Sequence, residues 1–327
     1  MEREWPEIIN LEIMSKCNLK CTHCKLQHQS THAQDEFMSL EKFKNYIDKI
    51  ENFVKNAKEF MFSSVEPLIH PNLFEMMDYV SSKNLNIEFP IQTNSMFLDD
   101  SVIEKMAVRN VPWVSVSLDG TDAEKMSFFK VGTKFETVVS NIRKLRARMP
   151  KDCIIRACFV SCTNNIVDLV NLIYFCKELG IDAVDVNGLF CFDKDHLRYA
   201  LYSKEGNERV EQIYQDAKKV GEKLGIQVQV PLLKPKFIAC EWNKSLLIDG
   251  DGNVNPCVML AQKIPMYYLN SSTEGHIVRF GNILEQNMED IWNDERFILF
   301  RENLKNHVLL DVCKSCAEGF GVVCSNR

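Results

Sequence analysis

No stretch of this sequence approaches the roughly 18 consecutive apolar residues that a membrane-spanning helix needs, so no transmembrane segment is expected. The opening stretch MEREWPEIIN contains no apolar h-region, which argues against a secretory signal. Positive charge is not in excess: the net charge is −6, and a polyanionic partner such as nucleic acid is not expected. Internal repeats and low-complexity tracts are also missing. These absences leave the expectation of a soluble, cytoplasmic globular protein, in keeping with 46% apolar and 26% charged residues. At 327 residues the chain suits one large domain and a smaller one.

Cysteine, by contrast, is abundant at 13 residues. Without an export signal the compartment is expected to be reducing and the thiols free. Clustered cysteines in such a chain point to a metal or an iron–sulfur cluster rather than to disulfides.

The first two-thirds of the chain alternates strand-like and helix-like runs. Strand candidates are IINLEIM (8–14), EFMFSS (59–64), IEFPIQTN (87–94), WVSVSLD (113–119), IIRACFV (154–160) and IDAVDVN (181–187). Amphipathic stretches such as LEKFKNYIDKIENFVKN (40–56) and FETVVSNIRKLRARM (135–149) lie between them. Such β–α units in series predict a parallel sheet with right-handed crossovers. Parallel strands covered on both faces normally read as continuous apolar runs, but these alternate. Ile9, Leu11 and Ile13 stand against Asn10 and Glu12, and Val114, Val116 and Leu118 against Ser115, Ser117 and Asp119. Ile155, Ala157 and Phe159 stand against Arg156 and Cys158, and Val184 and Val186 against Asp185 and Asn187. With side chains of period two, one face is apolar and meets the helices, and the other is polar. A filled eight-stranded barrel has an apolar interior. The pattern therefore predicts an α/β fold: a partial (β/α)6 TIM-like barrel around a polar cavity, over residues 1–228. An open sheet with exposed strand faces is the other reading. A helix over 207–225 ends the alternation, and VPLLKPKF (230–237) reads as a connector. Residues 229–327, with short runs and the turn DGDGN (249–253), read as a small Cys-rich domain.

CNLKCTHC (17–24) follows the first strand directly, on the kind of loop from which barrel active sites are built. It places Cys17, Cys21 and Cys24 in a C-x3-C-x2-C spacing with no fourth cysteine nearby. Three thiolates suit a structural zinc ion with a further protein ligand, for which His23 and His28 are at hand. They also suit a [4Fe–4S] cluster, which wants four ligands and keeps one iron open to a small molecule when protein supplies three. Farther on, Cys240 and Cys257 bracket a hairpin-like stretch, Cys313 and Cys316 form CKSC, and Cys324 follows. Four cysteines so placed fit a fully ligated [4Fe–4S] cluster or zinc. Cys158, Cys162 and Cys191 lie on or after the fifth and sixth strands. Each is either a small buried hydrophobe or a cavity-facing thiol that donates a hydrogen atom.

These motifs resemble the radical S-adenosylmethionine (SAM) enzymes. CNLKCTHC matches that family's C-x3-C-x-Φ-C signature, with His23 in the position that lies by the adenine. FSSVEPLIHP (62–71) stands where the family has Gly-Gly-Glu-Pro: Glu66 and Pro67 match, whereas Ser64 and Val65 replace glycines that let the backbone approach the methionine amine. QTNS (92–95), which carries Asn94, resembles the strand-three TNG. VSVSLDG (114–120) matches strand four and implies Ser117 and Asp119 beside the ribose or methionyl part of SAM. Lys130 stands about where an arginine pairs with the SAM carboxylate, a point charge in place of a fork, with Arg156 as a substitute. The resemblance implies that the open iron binds SAM and that one electron cleaves it to methionine and a 5′-deoxyadenosyl radical. That radical then removes a hydrogen atom from the substrate.

The C-terminal stretch, including its GN-I…IW segment, resembles the SPASM/twitch extension of the same family. The full extension carries more cysteines than the five found here, and CKSCAEGFGVVC departs from its C-x2-C-x5-C-x3-C run. The resemblance thus implies one auxiliary [4Fe–4S] cluster, on Cys240, Cys257, Cys313 and Cys316. Cys324 is left as an alternate ligand, a hydrogen donor or a tail thiol, and Cys191 and Cys324 are the hydrogen-donor candidates. The implied partners are a flavodoxin or ferredoxin as electron donor and a polar small molecule, sugar or aminocyclitol-like, that is oxidised or epimerised. Peptide-modifying members often carry an N-terminal recognition domain, for which a first strand at residue 8 leaves no room. Maturation of a short peptide is the second reading, and a non-catalytic iron–sulfur protein the third.

Overall fold

The computed structural model describes residues 4–29, 37–62, 65–237 and 240–323. Seven strands follow one another along the chain: β1 (Ile8–Leu11), β2 (Glu59–Phe62), β3 (Ile91–Thr93), β4 (Trp113–Ser117), β5 (Ile154–Ser161), β6 (Ala183–Gly188) and β7 (Gln227–Gln229). β1 and β2 pair in parallel, and β3 to β7 pair in parallel in chain order. A parallel bridge between Glu59 and Glu88 joins the two runs, with the Phe60 N–H donating to the Glu88 carbonyl at 2.8 Å. The wall does not close on itself. The outer edge of β1 is taken by β8 (Ser245–Ile248), also in parallel. The chain returns as β9 (Asn253–Asn255), makes a hairpin of β10 (Met266–Tyr268) and β11 (Ser271–Thr273), and adds β12 (Gly281–Asn282) antiparallel to β9. The fold is the expected partial α/β barrel with a Cys-rich C-terminal part, and β7 is one parallel strand more than the alternation predicts.

Local chemistry starts and stops the helices where they are needed. Ser39 Oγ accepts the Lys42 N–H at 3.1 Å ahead of helix Leu40–Lys49, and Asp99 Oδ1 accepts the Val102 N–H at 2.8 Å ahead of Asp100–Ala107. Gly180 and Gly225 end helices Leu169–Leu179 and Glu208–Leu224 at left-handed φ values of 72° and 70°. The helix expected over 40–56 is two, Leu40–Lys49 and Glu51–Asn56. They part at Ile50, whose N–H is shared between the Tyr46 and Ile47 carbonyls at 3.2 Å each.

The apolar face of the barrel strands packs under the helices: Ile9, Leu11, Val114, Val116, Ile155, Phe159, Val184 and Val186 are wholly buried. The polar face is covered too, with Asn10, Glu12, Ser115, Asp119 and Asp185 at most 8% exposed. The apolar core continues past residue 229 into Leu246, Ile248, Val254, Trp292 and Phe297. Trp292 packs edge-on against Phe53 at 5.9 Å and donates its indole N–H to the Glu4 carbonyl at 2.8 Å. The C-terminal part therefore shares both a sheet and a core with the barrel. Among the described residues, no helix is long and apolar enough to cross a membrane.

Candidate functional site

The first cysteine set is held by backbone bonds that reach across the barrel top. Leu19 N–H points to Cys17 Sγ at 3.4 Å, Lys20 N–H donates to the Val131 carbonyl at 3.2 Å, and Thr22 N–H donates to the Phe129 carbonyl at 2.9 Å. The Thr22 carbonyl in turn lies 2.7 Å from His28 Nε2. A strut comes from the end of β3: Asn94 Nδ2 donates to Asn18 Oδ1 at 2.8 Å and lies 4.0 Å from Cys17 Sγ. Asn94 thus supports the cysteine loop itself. Glu66 fastens the strut. Its carboxylate accepts Asn94 N–H at 2.6 Å, Thr93 Oγ1 at 2.8 Å and Leu68 N–H at 3.3 Å, which ties the turn after β2 to the end of β3. Burial pushes Glu66 up to about 7 against those three donors. Ser64, expected near the methionine amine, lies outside the described residues.

Lys130 and Asp119 form the charged centre of the site. Lys130 Nζ lies 2.6 Å from Asp119 Oδ2, both side chains are buried, and Asp119 Oδ1 accepts the Val160 N–H at 2.9 Å. The ammonium thus has the Asp119 carboxylate as its counter-charge. Burial works against its charge, but Asp119, Cys158 and Cys21 together raise its pKa. Lys130 also stands between Phe129 and Val131, whose carbonyls take the backbone bonds of the cysteine loop, and so joins that loop to the end of β4. His23 packs edge-on against Phe129 at 5.3 Å, and burial pulls its pKa down to about 4, so the ring is neutral. The thiols themselves are driven upward by burial, Cys21 to about 12. Burial that opposes a bare thiolate suits ligands whose proton is displaced by a metal.

The polar face below is prearranged. Arg156 forks onto Asp185 at 2.7 and 2.6 Å, and Asn187 Nδ2 lies 3.2 Å from Cys158 Sγ. Ser117, half-buried at the end of β4, is in register with Cys158. Both cations expected to meet a SAM carboxylate thus already hold an internal carboxylate. Cys191 packs with Phe129, Cys162 and Leu189, its thiol 3.8 Å from the Leu189 carbonyl and 3.7 Å from the Tyr202 hydroxyl. The thiol on the polar face is Cys158, whose place follows from the alternation of β5. Cys324 lies outside the described residues. Beside Asp119, a cleft is lined by Lys125, Phe128, Phe129, Cys162, Asn164 and Asn165 among others. Asn165 braces it by donating to the Asp119 and Val160 carbonyls at 3.1 and 2.9 Å. Sequence reasoning missed Phe129 and Asn165, which stand on loops without a motif.

The second set is drawn from three separate segments of the C-terminal part. Cys240, Cys257, Cys313 and Cys316 all line one cavity whose other walls are mostly apolar, with Phe237, Trp242, Leu260, Met266 and Phe300 among them. Hairpin β8–β9 delivers Cys257, and a 3-10 turn, with Cys316 N–H donating to the Cys313 carbonyl at 3.0 Å, delivers the CKSC pair. Burial pushes Cys313 up to about 11 and Cys316 to about 12, and raises Cys240 and Cys257 as well. Among the described residues, no group of three or more His, Cys, Asp or Glu side chains converges on a single metal ion. Thiols spread around a cavity wall match a cluster that offers each of them its own iron. Lys25, next to Cys24, reaches the carbonyl of Val258, next to Cys257, at 3.5 Å and lies 3.7 Å from Glu12.

Comparison with known proteins follows the same division. A model of the radical SAM superfamily matches residues 11–173, and a model described as the SPASM iron–sulfur cluster-binding domain matches residues 240–317. A Pyrococcus furiosus protein, named tungsten-containing aldehyde ferredoxin oxidoreductase cofactor-modifying protein, is 25% identical over 94% of this chain and 86% of its own length. An AdoMet-dependent heme synthase from Methanosarcina barkeri is 28% identical over 55% of this chain and 50% of its own length, so the chain spans half of that relative. Streptococcus suis SuiB bound to S-adenosylmethionine superposes with a TM-score of 0.65 at 15% identity, covering 91% of this chain and 68% of that one. SuiB bound to its precursor peptide SuiA superposes with a TM-score of 0.62 at 16% identity, covering 98% and 71%. At such identities the likeness is one of fold.

Proposed function

Because this chain belongs to the radical SAM superfamily and carries a SPASM domain, we propose that it uses Cys17, Cys21 and Cys24 to cleave SAM and abstracts a hydrogen atom from a polar small molecule in the barrel. An auxiliary [4Fe–4S] cluster sits on Cys240, Cys257, Cys313 and Cys316. When bound, the clusters supply the electron that breaks the sulfonium and a second redox centre within the same chain. The observation that carries the reading is the position of Lys130: its ammonium lies 2.6 Å from Asp119 at the end of β4, and its neighbours Phe129 and Val131 take the backbone bonds of the cysteine loop. It makes the iron loop and the polar interior one site.

Each residue then has a task. His23, neutral against Phe129, offers an apolar edge to the adenine. The cavity beside Asp119 and Asn165 takes the nucleoside, and Asn94 and Glu66 keep the cysteine loop at the end of β3. Lys130 and Arg156, each already held by a carboxylate, present fixed charge to the SAM carboxylate and to the substrate without reorganising. The Arg156–Asp185 fork and Asn187 suit a substrate with several hydroxyl or charged groups. Cys158 is placed to return a hydrogen atom to a substrate radical, which is the step an epimerisation needs. A flavodoxin or ferredoxin is the proposed electron donor, and the full-length likeness to a cofactor-modifying protein supports a small, polar substrate.

The test is iron and sulfide content of anaerobically reconstituted protein, paired with 5′-deoxyadenosine formation after dithionite reduction. About eight irons with 5′-deoxyadenosine supports the proposal, at four irons per cluster. About four irons with 5′-deoxyadenosine removes the auxiliary cluster, and iron without cleavage removes the enzyme. A second reading, modification of a short peptide, is favoured by the fold shared with peptide-bound SuiB. A mass change in a small peptide encoded beside this gene, dependent on SAM, decides for it.

A further inference from the structure

The turn after β3 holds a serine in a backbone conformation that serine does not favour. Ser95 has a φ of 67°, in the left-handed region where a Cβ crowds the following carbonyl. Its side chain gives nothing in return: Ser95 is wholly buried and its hydroxyl has no hydrogen-bond partner. A serine left to itself leaves that region, so the turn is held from outside. Thr93 Oγ1 accepts the Ser95 N–H at 2.9 Å, and Asn141 Nδ2 donates to the Ser95 carbonyl at 2.8 Å and to the Met96 carbonyl at 3.5 Å.

Asn141 is a polar residue on an apolar face. It stands inside helix Phe135–Arg148, on the side that buries Val138, Ile142 and Leu145, and is only 8% exposed. Asparagine is a poor helix former, and burying its amide is unfavourable unless the amide is hydrogen-bonded. The two carbonyls of the turn account for its presence. The turn in turn aims Asn94. Asn94 Oδ1 accepts the Met96 N–H at 3.1 Å, which fixes the amide so that Nδ2 reaches Asn18 Oδ1 at 2.8 Å, beside Cys17. Buried hydrogen bonds thus run from the middle of a barrel helix to the cysteine loop.

We propose that Asn141 is a positioning residue for the first iron–sulfur site: by clamping the Ser95 turn in its left-handed form, it keeps the Asn94 amide on the cysteine loop and so sets where that loop presents its iron to SAM. The inference rests on the reading of Cys17, Cys21 and Cys24 as that site. Asn141 acts through the turn and not on the reacting atoms. A misplacement of about 1 Å at a reacting centre can cost on the order of a hundredfold in rate, so a clamp two steps removed from the thiols is enough to matter. Glycine at position 95 makes the clamp dispensable, because without a Cβ a positive φ is as accessible as a negative one.

The experiment compares Asn141→Leu with the same change combined with Ser95→Gly, each in the full chain reconstituted anaerobically. Leucine keeps the volume and removes the amide. The readouts are iron content, kcat/KM for 5′-deoxyadenosine formation, and the change that added SAM makes in the electron paramagnetic resonance spectrum of the reduced protein. Asn141→Leu is expected to keep its iron, to lose roughly tenfold or more in kcat/KM, and to show an altered response of the spectrum to SAM. Ser95→Gly is expected to restore both. If Asn141→Leu does not fold, Asn141→Ala with and without Ser95→Gly makes the same comparison. A lowered thermal midpoint with kcat/KM and spectrum at parent values makes Asn141 purely structural and overturns the inference. A loss that Ser95→Gly leaves in place overturns it as well, because the asparagine then acts otherwise than through that turn. Parent protein that holds iron but forms no 5′-deoxyadenosine overturns the reading of the cysteine loop, and this inference with it.

Discussion

Lys130 carries its charge into a buried site and depends on Asp119 for it. Removing one partner of such a pair leaves the other uncompensated, a loss of about 3–5 kcal/mol. Lys130→Met is therefore expected to lower the thermal midpoint sharply and to abolish SAM binding in equilibrium dialysis. Lys130→Arg keeps the charge and should recover most of the stability. Cys21→Ala is expected to end 5′-deoxyadenosine formation while about four irons stay on the second site; preserved turnover would sink the assignment. Glu66 makes a pH prediction. Its folded pKa is raised from 4.5 to about 7, so between those values the folded protein holds a proton that the unfolded chain has released. Stability then falls as pH rises through that window, by roughly 1.4 kcal/mol per unit. Urea midpoints measured across it should decline in the parent and flatten in Glu66→Gln.

At the scale of elements, the end of β6 is fitted to the turn that follows the CKSC pair. The Gly188 N–H donates to the Val323 carbonyl at 2.8 Å, and a Cβ at Gly188 would run into the Val322 carbonyl. Backbone cannot step aside as a flexible side chain does. Gly188→Ala is expected to cost about 1–3 kcal/mol, the usual penalty of overpacking, and to loosen the segment after Cys316. Iron analysis should show the auxiliary site losing metal before the first site does. The strands and their alternating faces were legible because period-two patterning is local. The break at Ile50 and the short strand β7 were not, because both are settled by what packs against them.

Across the whole molecule, β8 lies on the open edge of β1, and one apolar core runs from Ile9 to Leu304. Residues 1–228 expressed alone would expose the β1 edge and the apolar faces that Leu246 and Trp292 cover, and such edges and patches associate. We expect that fragment to aggregate, whereas the full chain unfolds in a single transition by calorimetry. Chelating the iron should lower the midpoint of that one transition, because a ligand bound only by the folded state stabilises all that is coupled to it.

The cysteine loop, the polar lining and the α/β order were all legible along the chain. Each is written in residues close together along the chain, where spacing and alternation suffice. It took the tertiary structure to show that Arg156 answers Asp185 and that four cysteines spread over 77 positions line one cavity. Those relations depend on distances between segments remote in sequence, and the closing of the sheet and its shared core sets them.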